Sequence, residues 1–222
     1  MKLLNLFSGT GSVSKPWRAA GHEVWDVDVD PRFSPETCGD ILQWDYTQLP
    51  FIPDVIWSSP PCTEYARCKT RGPPRNFKLA DSLIKKALEI IDYFENISPK
   101  PIIWFLENGD STLLWGRDVA RDLKDYVVLD YCQYGRLFRK RTRVAHSANL
   151  HWIPRPLCNP KTCHACPDGK RHLKSAQRGP DKTLRGESKK FDRCTVHELH
   201  ALPEALTEEI LKVCEAHIWE VI

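Results

Sequence analysis

The 222 residues, 41% hydrophobic and 27% charged, suit one ordinary domain with a small appendage and can bury a real core, which argues against two full domains. No run of about 18 apolar residues occurs and the start, MKLLNLFSGTG, breaks at glycine too early for an export signal, so a soluble intracellular protein is expected. Nine cysteines, an odd number, fit a reducing compartment and leave thiol chemistry and metal binding open, while a net charge of +3 is too small to imply nucleic acid by itself.

In chain order, residues 3–7 predict a strand, 14–20 a helix, and 22–28 and 55–58 two further strands. Residues 76–94 predict a long helix, because Leu79, Leu83, Ala87, Ile90, Ile91 and Phe94 recur at three- and four-residue spacing on one face. Strands follow at 102–106, 126–131 and 143–147. This alternation argues for an α/β domain over 1–150, a parallel sheet wrapped by helices. From 151 to 200 prolines, cysteines and charges replace apolar periodicity, which reads as a loop-rich insert; between Lys161 and Arg193 ten lysines and arginines face four carboxylates. A last helix is predicted at 203–217, with Pro203 near its first position, and the segment 201–222 is expected to pack back on the first domain.

In LNLFSGTGS, Gly9 and Gly11 fall where the first strand turns into the first helix, and glycine there lets backbone pass close to a ligand. The spacing is not the full dinucleotide fingerprint, and a plain strand-to-helix turn also fits. VWDVDVD then ends the second strand with Asp28 and Asp30, where a carboxylate can hold ribose hydroxyls, and CGDIL adds Asp40. Taken together these fit an adenosine-containing ligand, with solvated loop carboxylates as the alternative.

SSPPCTEYA holds Cys62 on a stiff turn directly behind a strand, in the place where methyltransferases acting on exocyclic amines carry an aromatic ring. A thiol stacks poorly but is a strong nucleophile once ionised. Cytosine carbon 5 is too weak a nucleophile to take a methyl group unaided, and thiolate attack on carbon 6 makes an enamine reactive at carbon 5.

LFSGTGS, GDI, SPPC, the Glu-Asn of WFLENGD and QYGRLFRKRTRV resemble, in that order, the motifs of the cytosine-5 methyltransferase family, and cover residues 5 to 144. The short length and cysteine-bearing tail look most like compact members from phages and large DNA viruses. The resemblance implies a Rossmann-like S-adenosylmethionine-dependent methyltransferase sheet over 1–150. It implies that Phe7, Gly9, Gly11 and Pro60 line the S-adenosylmethionine site, with Asp28 on the ribose and Asp40 and Ile41 at the adenine. Cys62 would be the nucleophile and Glu107, ending its strand, would bond ring nitrogen 3 of a flipped cytosine. Asn108 would support the cysteine loop. Arg141 and Arg143 would be the family's Arg-x-Arg pair, steadying the base and the active-site carboxylate, although Arg139 could take one of these roles under a one-residue shift.

Glu64 departs from the family pattern; ionised near the sulfur it would raise the thiol's pKa, and it is expected to face nucleic acid or to pair with Arg67 or Arg71. The chain after 144 is short for a target-recognition region, so sequence preference is expected to be loose, short or supplied by a protein partner. The loop 63–77 and the basic tail could grip phosphates, or carry only solvated charge. In LCNPKTCHACPDGKRH, Cys158, Cys163 and Cys166 with Cys194 or His172 make a possible tetrahedral zinc site; unliganded thiols are the alternative. The expected function is DNA cytosine-5 methylation, with tRNA cytosine-5 methylation or a catalytically silent nucleic-acid-binding module as the competing readings.

Overall fold

The structure, a computed structural model, describes residues 1–148, 150–176 and 192–221. The chain opens with β1 (Lys2–Leu6), α1 (Ser14–Ala19), β2 (Glu23–Asp28), β3 (Thr37–Cys38) and β4 (Val55–Ser58), then α2 (Phe77–Ile97) and β5 (Ile103–Gly109). It continues with β6 (Tyr126–Asp130), β7 (Arg141–His146), the short strands β8 (Lys174–Ser175) and β9 (Asp192–Arg193), and ends in α3 (Val196–His200) and α4 (Glu204–Val221). Seven strands form one sheet in the order β3-β2-β1-β4-β5-β7-β6, and β8 pairs with β9 apart from it. No helix among the described residues is long and apolar enough to cross a membrane.

The central strands are apolar on both faces because both faces are covered. Along β1 and β4, Leu3, Val55 and Trp57 join one core cluster while Leu4, Leu6 and Ile56 join the other, the two-residue alternation of a pleated strand. One layer is α2, whose Ala87, Ile90, Ile91 and Phe94 pack on Leu4, Leu6 and Ile56. The opposite layer is α1 and α4: Trp17 from α1 and Leu206, Ile210, Leu211 and Cys214 from α4 join Leu3, Trp57 and Phe105. This three-layer α/β architecture is a Rossmann-like fold, and chain order reverses between β1 and β4, the switch point where such sheets form their ligand crevice.

Three expectations need correcting. Ala87, Ile90, Ile91 and Phe94 of α2 are buried as predicted and Leu83 packs partly buried beside them, but Leu79 is 48% exposed; in the first turns Ala80 and Ile84 face inward on Tyr65, Leu106 and Leu114, so there the inner face is shifted by one residue. The sheet is mixed, because β7 runs antiparallel to both β5 and β6; residues 131–140 between β6 and β7 are too few for a parallel crossover. Glu107 does not end its strand: β5 continues through Gly109, and Glu107 and Asn108 pair with Val144 and Arg143 of β7.

Beyond β7, Trp152 anchors the chain against Phe105, ring centroids 6.1 Å apart and nearly perpendicular. A capping box of Thr195 and Glu198 starts α3, and Lys174 pairs with Glu198 at 2.8 Å. Much of the expected basic run, residues 177–191, lies outside the described residues.

Candidate active site

The site forms where β1, β2, β4 and β5 all end on one side of the sheet. After β1 the backbone turns through positive φ at Phe7 (59°), Gly9 (49°) and Gly11 (67°), a conformation that only glycine adopts without cost. Asp28, at the end of β2, shapes this turn: its Oδ2 accepts the Gly9 N–H at 2.8 Å and its Oδ1 the Asp30 N–H at 2.8 Å. Under the turn lies a buried polar floor. Asn5 Nδ2 donates to Ser14 Oγ and Asp26 Oδ1, both at 2.8 Å, Ser14 donates to Asp26, and Arg18 bridges Asp26 to Glu36. Each buried group finds a partner, so the network stiffens the loop above it; no spacing in the sequence announced it. The Gly39 N–H bonds the Asp28 carbonyl at 2.9 Å, which brings exposed Asp40 beside the same edge, and Ile41 sinks into the core cluster of Leu6 and Val27.

Leu6 pairs with Ser58, and the Ser59 N–H bonds the Leu6 carbonyl at 3.2 Å, so the glycine turn and the Pro60–Pro61–Cys62 turn leave neighbouring strands side by side. Pro60 is buried and its carbonyl accepts Asn108 Nδ2 at 3.1 Å, while Cys62 opens to solvent. Buried Tyr65 anchors the loop beyond: its hydroxyl donates to Asp81 at 2.8 Å, and Asp81 takes a forked pair of bonds from Arg117 at 2.7 and 2.5 Å. Glu64 pairs with neither Arg67 nor Arg71. It accepts two bonds from Lys69, at 2.6 and 2.7 Å, and one from the Asn76 N–H at 2.8 Å, and these hold its carboxyl below the usual range. Arg75 donates to the carbonyls of Glu64, Ala66 and Lys69. Lys69 and Arg75 therefore brace the loop, and Arg67 donates to the Ser111 carbonyl.

Across from Cys62, buried Glu107 accepts the Tyr131 hydroxyl at 3.3 Å and lies 4.0 Å from Lys140 Nζ. That ammonium sits 4.8 Å from the centroid of the Tyr131 ring and donates to the Leu199 carbonyl at 3.1 Å. Desolvation pushes the Cys62 thiol up, Lys140 pulls it down and Glu107 pushes it up again, with a net rise. Burial alone would lower the Lys140 pKa, but its surroundings, Glu107 among them, outweigh it and the lysine stays charged; burial and Glu107 keep Tyr131 a neutral donor. The arrangement thus sets a thiol, a carboxylate, a fixed positive charge and a neutral hydroxyl within electrostatic reach of one another.

Arg141 and Arg143 do not meet the carboxylate at 107. Arg141 forks onto Asp130 at 3.1 and 2.8 Å, and Arg143 binds Asp110 at 3.0 and 2.8 Å with its guanidinium 4.2 Å from the centroid of the Tyr126 ring. Successive strand residues point to opposite faces, so a one-residue slip reverses every side chain. Lys140 and fully buried Thr142, beside the Tyr131 hydroxyl, occupy the inner face instead. Lys140 and Tyr131 were missed by sequence reasoning, although both lie in YCQYGRLFRKRTRV and the neighbouring register would have found the lysine.

Further along, the structure gathers Cys132, Cys158, Cys163 and His172, with ligand atoms all within 4.8 Å of one another. Cys166 and Cys194 are not in this group. The Cys166 thiol turns to Asp168 Oδ1 at 3.7 Å, and Cys194 is buried in the main core with Leu199 and Leu202. Cys132, in the turn two residues beyond β6, was the member sequence spacing could not supply, because it lies well before the cysteine-bearing tail.

No family model matches the chain. A probable DNA (cytosine-5)-methyltransferase of Frog virus 3 (isolate Goorha) is 32% identical over 236 residues, covering 96% of this chain and 100% of its own length. Among solved structures, the Dnmt2 methyltransferase of S. pombe aligns with a TM-score of 0.47 at 15% identity, over 69% of this chain and 53% of its own. The Entamoeba histolytica methyltransferase EhMeth aligns at 0.48 and 14%, over 72% and 58%. The chain spans little more than half the length of these solved structures.

Proposed function

The chain belongs to the DNA (cytosine-5)-methyltransferase family, and from that premise we propose that it methylates carbon 5 of cytosine in DNA through a covalent adduct on Cys62. The observation that carries this reading is that Lys140 and Glu107, 4.0 Å apart, both act on the charge of the Cys62 thiol, whose turn leaves the strand next to the one that ends in the glycine turn.

S-adenosylmethionine, when bound, supplies the methyl group that carbon 5 takes. The turn fits such a ligand: a Cβ added at Gly11 would meet nothing within 4 Å, so the backbone faces open space there, with the carboxylates of Asp28 and Asp40 along the same edge. Phe7, Gly9, Gly11 and Pro60 would line the site, Asp28 would hold the ribose, and Asp40 and Ile41 would border the adenine.

The chain's own residues do the rest. The Cys62 thiol gives its proton to water and its sulfur bonds carbon 6 of an extruded cytosine, while Glu107, entering as the carboxylic acid, passes its proton to ring nitrogen 3 as the displaced electron pair gathers there and takes it back when the sulfur leaves. Lys140 favours the thiolate and steadies Glu107, the task expected of an arginine. Once carbon 5 carries the methyl group, a base removes its proton, the double bond re-forms and the sulfur leaves. Asn108, through the Pro60 carbonyl, holds the turn that aims the sulfur.

Exposed Arg71 and Lys78 flank the cysteine loop and are the cations offered to phosphates, with sequence preference short or supplied by a protein partner. The test is transfer of label from tritiated S-adenosylmethionine to duplex DNA or to tRNA, beside Cys62→Ser. Label in DNA that Cys62→Ser abolishes, with trapping on DNA containing 5-fluorocytosine, is expected. Label in tRNA alone overturns the DNA assignment, and label in neither points to the silent module.

A further inference from the structure

We propose that Cys132, Cys158, Cys163 and His172 bind one Zn²⁺ that clamps the tail onto the end of β6. The proposal is independent of the methyl-transfer reading. Three thiols and an imidazole are the donor set of structural zinc, which takes four ligands in a tetrahedron with Zn–S near 2.3 Å and Zn–N near 2.0 Å. Such a tetrahedron has a sulfur-to-nitrogen edge of about 3.6 Å. His172 Nε2 lies 3.4 Å from Cys158 Sγ and 3.7 Å from Cys163 Sγ. All four donors fall within 4.8 Å, so small side-chain movements suffice to close the shell.

The surroundings are built as zinc sites are. The Cys158 N–H donates to Asp130 Oδ2 at 3.0 Å, and Gln133 Nε2 stands 4.0 Å from both Cys132 Sγ and Cys163 Sγ, so the sulfurs and their backbone are held from outside. The Cys166 N–H bonds the Cys163 carbonyl at 2.9 Å, and the Leu173 N–H bonds the Ala165 carbonyl at 2.8 Å, which folds His172 back over the knuckle.

A second observation points the same way. The buried apolar cluster of this segment consists of Cys132, Cys163, Ala165 and Cys166, with Cys158 partly buried against it. One alanine among cysteines is no hydrophobic core, and segments of this kind fold on metal binding energy. Cys132 directly follows Tyr131, whose hydroxyl reaches Glu107. The metal would therefore fix both the tail and the loop that carries Tyr131 and Lys140.

The experiment is metal analysis of the full chain, purified without chelator or a nickel column. About one equivalent of zinc is expected; less than a tenth of an equivalent overturns the site. Cys132→Ser and His172→Ala should lose the metal, whereas Cys166→Ser and Cys194→Ser should keep it; the reverse pattern overturns the ligand set. Should a ligand variant fail to fold, Co²⁺ exchanged into the unmodified protein decides. Intense visible d–d bands with thiolate charge transfer support tetrahedral sulfur ligation, and a weak octahedral spectrum refutes it.

Discussion

Replacing Lys140 with methionine removes a positive charge that acts on both Cys62 and Glu107 while keeping the side chain's length. The Lys140 ammonium lies 4.0 Å from Glu107, and the two side chains are 25% and 9% exposed. Two unit charges at that separation interact by about 4 kcal/mol at an effective dielectric near 20. The Cys62 residue reaches the surface although its sulfur is partly desolvated, so the interaction is partly screened and about a third of that, ~1.4 kcal/mol, is taken for its thiolate, equivalent to about one pH unit. Lys140 lowers the thiol's pKa, so its loss must raise it. The assay is the rate of alkylation of Cys62 against pH, in a background with the other exposed cysteines, Cys38 and Cys68, changed to serine. Lys140→Met should move the midpoint up by about one unit, and Lys140→Arg, which keeps the charge, should leave it within about 0.3 unit. An unmoved midpoint in Lys140→Met, with an unchanged melting curve, would refute the assignment of Lys140 to this site.

Glu64→Gln should shift the same midpoint by less than about 0.3 unit, because the carboxylate is bound by Lys69 and the Asn76 amide; a large gain in thiol reactivity would show that it faces the sulfur. Asp81→Asn should cost about 2 kcal/mol in denaturant unfolding, since two charge-assisted bonds from Arg117 and one from Tyr65 are weakened. Asp81 titrates below its ordinary value in the fold, so its contribution is fully present above about pH 4 and is lost as pH falls through the folded value; a wild-type advantage that persists at lower pH would contradict it. Ile84→Ala should cost about 3 kcal/mol, because Ile84 is fully buried. Leu79→Ala should cost less than about 0.5 kcal/mol; equal losses at the two positions would restore the helix face predicted from spacing.

The amino-acid sequence by itself determined what depends on near neighbours. Six strands were legible because hydrophobic runs a few residues long mark them, as were the glycine turn, the Pro-Pro-Cys turn and the order of the motifs along the chain, whereas the two-residue strands β3, β8 and β9 carry no such run. Asp28 and Cys62 could be singled out because each stands at a fixed distance from a local signal, and Glu107 and Asn108 because their motif resembles the family's. Only tertiary structure decided which face of β7 meets Glu107, and so chose Lys140 over Arg141 and Arg143. The spacing within RKRTR allows either register, and pairing with β5 breaks the tie. The same holds for the inward side of the first turns of α2, set by Tyr65 and Leu114 arriving from elsewhere. It holds too for Cys132, which joins Cys158, Cys163 and His172 because β6 ends beside the tail. Local composition specifies which residues prefer to be buried, paired or turned, but the partner is set by long-range packing, and no pattern within a few residues encodes it.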